Sequence, residues 1–109
     1  MHSDTSLQVV LLTFPSIEKA REIASALVES QLAACVNLVP AIESIYRWQG
    51  SVQREAEVLD IVKTTAAALP ALEARVRELH PYEVPEFIAL APHHVFAPYA
   101  AWVAESVSV

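Results

Sequence analysis

The 109 residues are 54% hydrophobic and only 18% charged, with a formal net charge of −6 and a single cysteine. A chain of this length makes one domain, here residues 1–109, and buries roughly two-thirds of its unfolded surface. The composition excludes nucleic acid as a partner, which needs a basic face to displace counterions. It also excludes an internal disulfide and a membrane-spanning helix, since no apolar run approaches about 18 residues. Soluble domains carry about 25% charged residues. The apolar excess therefore predicts that one face is buried against further copies of the chain.

Residues 1–6 are polar and lack Lys and Arg, so they read as a disordered lead-in without the basic region of a secretory signal. With one unpaired cysteine this predicts a cytoplasmic protein. Leu7–Phe14 is a continuous β-rich run, the pattern of a strand buried on both faces. Pro15 breaks it, and Ser16 caps a helix with Glu18 in its first turn, running to about Leu32. Ile17, Ala20, Ala24, Leu27, Val28 and Leu32 form its apolar stripe.

Two long strands come next, about Ala33–Trp48 and Ser51–Thr65. They are joined at Gln49-Gly50, where the chain's only glycine suits a short turn with positive φ. Pro40 predicts a bulge or bend in the first of them. At about 3.3 Å per residue each arm could reach ~40 Å, more than a domain of this size can cover. The tip must project, and a lone hairpin is unstable in water, so it is expected to pack on another subunit. A second helix is expected over about Ala67–His80, a fourth strand over Val84–Pro92 and a short helix over Pro98–Ser106. The order βαββαβ plus a C-terminal helix gives an α+β ferredoxin-like sandwich, one antiparallel sheet with both main helices on one face.

Several segments together resemble the CutA divalent-cation-tolerance family. They are Leu32-Ala33-Ala34-Cys35-Val36-Asn37, Ser44-Ile45-Tyr46-Arg47-Trp48-Gln49-Gly50, Lys63-Thr64-Thr65 and His80-Pro81-Tyr82-Glu83-Val84-Pro85-Glu86. Thr13-Phe14-Pro15, Tyr99 and Trp102 resemble it too. The resemblance runs in order from about residue 8 to 105. It implies a ferredoxin-like homotrimer in which strands of neighbouring subunits extend one another's sheets. It further implies a role in metal tolerance with copper binding, no required cofactor and no established enzymatic activity. Where family members with a described copper site have a Cys and a His-His pair, the matching positions here are Leu12, Leu79 and His80.

His80 ends a helix, where an imidazole suits the dipole; with Glu83 and Glu86 it forms the candidate metal set, on the strength of the resemblance. Lys63 is costly to bury alone and is expected to pair with Glu86, near Tyr82, at a subunit boundary or ligand pocket. Tyr46 and Trp48 share a face of the arm and read as interface aromatics. Cys35, within Ala33-Ala34-Cys35-Val36, reads as a small buried hydrophobe. His93-His94 lie in extended chain and point apart. The one glycine forbids P-loop, GxGxxG and GxSxG motifs. The leading expectation is a trimeric protein that binds copper or another divalent cation and is not an enzyme. The alternative is a small-molecule sensor resembling the trimeric PII proteins, or a scaffold without a metal role.

Overall fold

The computed structural model describes residues 4–108. Four strands form one antiparallel sheet in the order β2-β3-β1-β4, with β1 Leu7–Phe14, β2 Cys35–Trp48, β3 Ser51–Thr65 and β4 Ile88–Leu90. Helices α1 (Ile17–Glu29) and α2 (Leu69–Leu79) cover one face. The core there joins Val10, Leu12 and Phe14 of β1, Val58 and Val62 of β3, Ile23 and Leu27 of α1, and Leu72 and Val76 of α2. Helix α3 (Ala97–Ser106) places Val103 against Leu7 and Ala34 in a second, smaller cluster. Among the described residues no helix is long and apolar enough to cross a membrane.

Local chemistry accounts for most boundaries. The Ser16 hydroxyl accepts the Lys19 N–H at 3.2 Å and caps α1. That helix stops at Glu29, short of the expected Leu32, because the chain turns left-handed at Gln31 (φ 61°). Leu32 N–H then bonds the Leu27 carbonyl and Gln31 N–H that of Val28, the paired bonds of a Schellman end. Before α2, Ala66–Ala68 form a 3-10 turn, so the α-helix begins with Leu69-Pro70 and not at Ala67. Pro tolerates that first turn because its missing N–H has no partner there in any helix. The Gln49-Gly50 turn has both φ angles positive, 48° and 83°, the geometry of a type I′ hairpin.

Three expectations are corrected. The segment 1–6 is not wholly disordered: Ser6 and Asp4 carbonyls accept N–H bonds from Ala66 and Ala67, each at 2.9 Å, while residues 1–3 lie outside the described part. Strand β1 is fully covered on one face only; Val9, Leu11 and Thr13 are half-buried, since α3 reaches only the Leu7 end of the other face. The fourth strand pairs only through Ile88–Leu90, opposite Val9–Leu11, because Pro85 and Pro92 lack the N–H that a longer ladder needs.

The bulge predicted at Pro40 decides which side chains of β2 share a face. Val39 opposes Leu59 and Ile42 opposes Glu57, so β2 carries one extra residue there. Side chains alternate faces along a strand. Leu38, before the bulge, therefore shares the helix face with Asp60. Ile42, Tyr46 and Trp48, beyond it, share the open face with Glu57, Gln53 and Ser51.

Candidate functional site: an acidic cleft under the arm

The open face of the β2-β3 arm and the loop after α2 enclose a cleft of about 610 Å³. Tyr46 and Trp48 come from β2, Gln53, Glu55 and Glu57 from β3, and Thr13 from β1; Tyr82, Glu83 and Glu86 come from the loop. No Lys or Arg is among the described residues that line it. Four carboxylates thus share one cavity without a counter-charge.

His80 anchors the loop. Its Nε2 lies 2.7 Å from the Thr13 carbonyl oxygen, and its Nδ1 accepts the Tyr82 backbone N–H at 3.0 Å. An acceptor Nδ1 leaves the proton on Nε2, so the ring is the neutral Nε2–H tautomer. It stacks on Phe14 with ring centroids 4.6 Å apart. Burial lowers its pKa, opposed by the Thr13 carbonyl and by Glu57. The Tyr82 hydroxyl donates to Glu57 Oε2 at 2.9 Å. Burial, with Glu57 next, raises the Tyr82 hydroxyl far above the ordinary phenol range, so it remains a donor at every physiological pH. Burial, and then repulsion from Glu57, also holds Glu86 above the usual carboxylate range.

The expected residues are placed unevenly. Tyr46, Trp48, Tyr82, Glu83 and Glu86 do line one cleft. His80 supports it from behind with both ring nitrogens engaged. Among the described residues no group of three or more His, Cys, Asp or Glu side chains is arranged to hold a metal ion. Lys63 does not pair with Glu86: its Nζ donates to Asn37 Oδ1, because β2 pairing sets Lys63 beside Cys35 and Asn37. Cys35 is half-exposed, not buried, with its Sγ 3.7 Å from Asn37 Oδ1. His93 and His94 are both exposed. Sequence reading misses Glu55, Glu57 and Thr13. The tight turn holds the signal for the first two: pairing Trp48 with Ser51 puts Gln53 across from Tyr46, and Glu55 and Glu57 come at even spacing on the same face.

The family model described as "CutA1 divalent ion tolerance protein" matches residues 8–106. The chain belongs to the CutA1 family. It is 54% identical over 99 residues to the divalent-cation tolerance protein CutA of Thermus thermophilus, covering 91% of this chain and 96% of that one. It is 48% identical to the mouse protein CutA, over 94% of this chain and 60% of the mouse one. Against the solved Thermus thermophilus Cut A1 structure the TM-score is 0.91 at 53% identity, covering 94% of this chain and 99% of that chain. Against CutA1 of Oryza sativa it is 0.93 at 40% identity, covering 98% of each. The α+β fold with its antiparallel sheet is therefore that of solved CutA1 proteins.

Proposed function

We propose that this CutA1 chain assembles as a homotrimer and binds divalent cations, copper foremost, at the acidic cleft, as a binding protein and not as an enzyme. The observation that carries this reading is the set of four glutamates lining one cavity with no cation opposite. Glu86 resists ionisation partly because Glu57 is near, and a bound cation relieves such repulsion.

The donors favour one kind of site. Both nitrogens of His80 are committed, so a preformed nitrogen- or sulfur-rich centre does not fit; His80 joins a ligand set only by giving up a backbone hydrogen bond. Glu83, Glu86 and Glu57 offer carboxylate oxygens, which fit an exchangeable ion that keeps part of its water. Among first-row divalent ions Cu²⁺ binds such donors most tightly.

Assembly is supported by the shape and the surface. The chain measures 47 × 27 × 23 Å, and its arm exposes Ile45, Trp48 and Val52, each more than half open. An isolated two-stranded ribbon needs a partner surface. The sensor alternative draws on the aromatic rings of Tyr46 and Trp48 in a cavity of small-molecule size, but the two-residue turn gives it no long ligand-closing loop. Relatives are named as periplasmic in Archaeoglobus fulgidus and chloroplastic in rice; for this chain the unpaired cysteine favours the cytoplasm.

Calorimetric titration of the metal-free chain with Cu²⁺ tests the reading. A saturable signal at a whole number of ions per subunit or per trimer is expected, weakened at least tenfold in a Glu83→Gln/Glu86→Gln double variant. No saturable heat at micromolar concentration would leave the scaffold or sensor reading. Sedimentation equilibrium should give three times the 11.9 kDa chain mass; a clean monomer refutes the assembly.

A further inference from the structure

Asp60 occupies the middle of β3, on the face covered by the helices. It is 0% exposed, and neither carboxylate oxygen has a hydrogen-bond partner among the described residues. Its register partners are Leu12 on β1 and Leu38 on β2. Val58 and Val62, two residues away on the same face of β3, belong to the apolar core. Buried carboxylates are ordinarily paired or hydrogen-bonded, because an uncompensated charge in the interior is expensive.

The surrounding elements bring no compensating charge. Strands β1 and β4 carry no titratable side chain. On β2 the titratable groups are Cys35, on the opposite face, and Glu43, Tyr46 and Arg47, beyond the bulge. On β3 itself Glu55, Glu57 and Lys63 alternate to the opposite face, and Arg54 lies out on the arm. Glu18, Lys19, Arg21, Glu22 and Glu29 of α1 all reach solvent, as do Glu73, Arg75, Arg77 and Glu78 of α2. His80, stacked on Phe14, is held toward its neutral form by burial, against the pull of the Thr13 carbonyl and Glu57.

We propose that Asp60 is a proton-operated switch on the stability of this fold. Neutral, it is a small polar side chain in the core; ionised, it puts an unpaired charge where the arm leaves the sheet, and loosens it. Burial alone raises its pKa from 3.8 to about 7, inside the range a cell can reach. Between those values the folded chain keeps a proton that the unfolded chain has released. The Asp60 contribution to stability is therefore greatest below about pH 4, falls as pH rises through about 7, and is flat above. His80 acts in the opposite sense: its lowered pKa gives stability that is present above about pH 6.5 and lost as pH falls. The Asp60 effect must for this reason be read as a difference between variants.

The experiment is denaturant unfolding of the full chain and of Asp60→Asn at one protein concentration, from pH 5 to pH 8. The ratio of folding constants, variant over parent, should grow more than tenfold across that range and level off above about pH 7. From pH 5 to about 7 the growth is bounded at about a hundredfold, one factor of ten per pH unit. A ratio that stays constant with pH, or shrinks as pH rises, overturns the switch. Should Asp60→Asn fail to fold, the parent labelled with carbon-13 at Asp carboxyls gives the answer directly. A buried-Asp midpoint near 7 supports the proposal, and one near 3.8 overturns it.

Discussion

On its helix side the sheet presents Val10, Leu12, Phe14, Val58 and Val62, none more than 3% exposed. On the other side Val9, Leu11 and Ile61 stay half open, while Tyr46 and Trp48 are 37% and 56% exposed. The same strands make both faces, and Val9, Leu11 and Ile61 are as apolar as the residues of the helix side. The difference lies in what each face can reach: α1 and α2 cover one, whereas α3 reaches only a corner of the other. The helix face therefore carries the stability of the single chain, and the open face carries the surface and the charges available for recognition. Asp60 is the exception on the first, and the cleft carboxylates give the second its character.

Three substitutions probe this contrast. Phe14→Ala empties the core beneath both helices and removes the ring on which His80 stacks. It should cost about 3–5 kcal/mol, read as a shift in the denaturant midpoint; a cost below about 1 kcal/mol would mean the helix face is not the core. Trp48→Ala, on the open face, should leave the fold of the subunit intact by circular dichroism. It should weaken assembly by about 2 kcal/mol or more, as loss of a buried interface aromatic does. An unchanged sedimentation profile would remove the arm from the interface. Gln31→Gly is the smallest effect: relief of the left-handed backbone at φ 61° should stabilise by roughly 0.5–1 kcal/mol. Destabilisation would mean that the Gln31 side chain makes a contact worth more than that relief.

The family motifs and the element order are legible in the sequence because they depend on near neighbours. Ser16, Gln49-Gly50 and Pro40 each act within a few residues, and each does what its chemistry dictates. Periodicity overestimates the extent of β4, because Ile88, Ala89 and Leu90 look like part of a longer strand until Pro85 and Pro92 are weighed as breaks in the ladder. Charge alone assigns Lys63 to Glu86, yet its partner is Asn37, brought across by a strand register that charge does not reveal. Asp60 is visible as one acid between Leu59 and Ile61, in phase with Val58 and Val62, but its missing partners are not.

By itself the sequence determined the strands and helices, the tight hairpin, the bulge and the excess of apolar surface, since these arise from backbone preference and periodicity. Tertiary structure alone decided that Tyr46 and Trp48 face the glutamates, that His80 has both nitrogens bonded, and that Asp60 is sealed in the core. Those outcomes depend on register across the sheet and on which elements close over each face, contacts between residues tens of positions apart whose local chemistry is the same whether or not they meet.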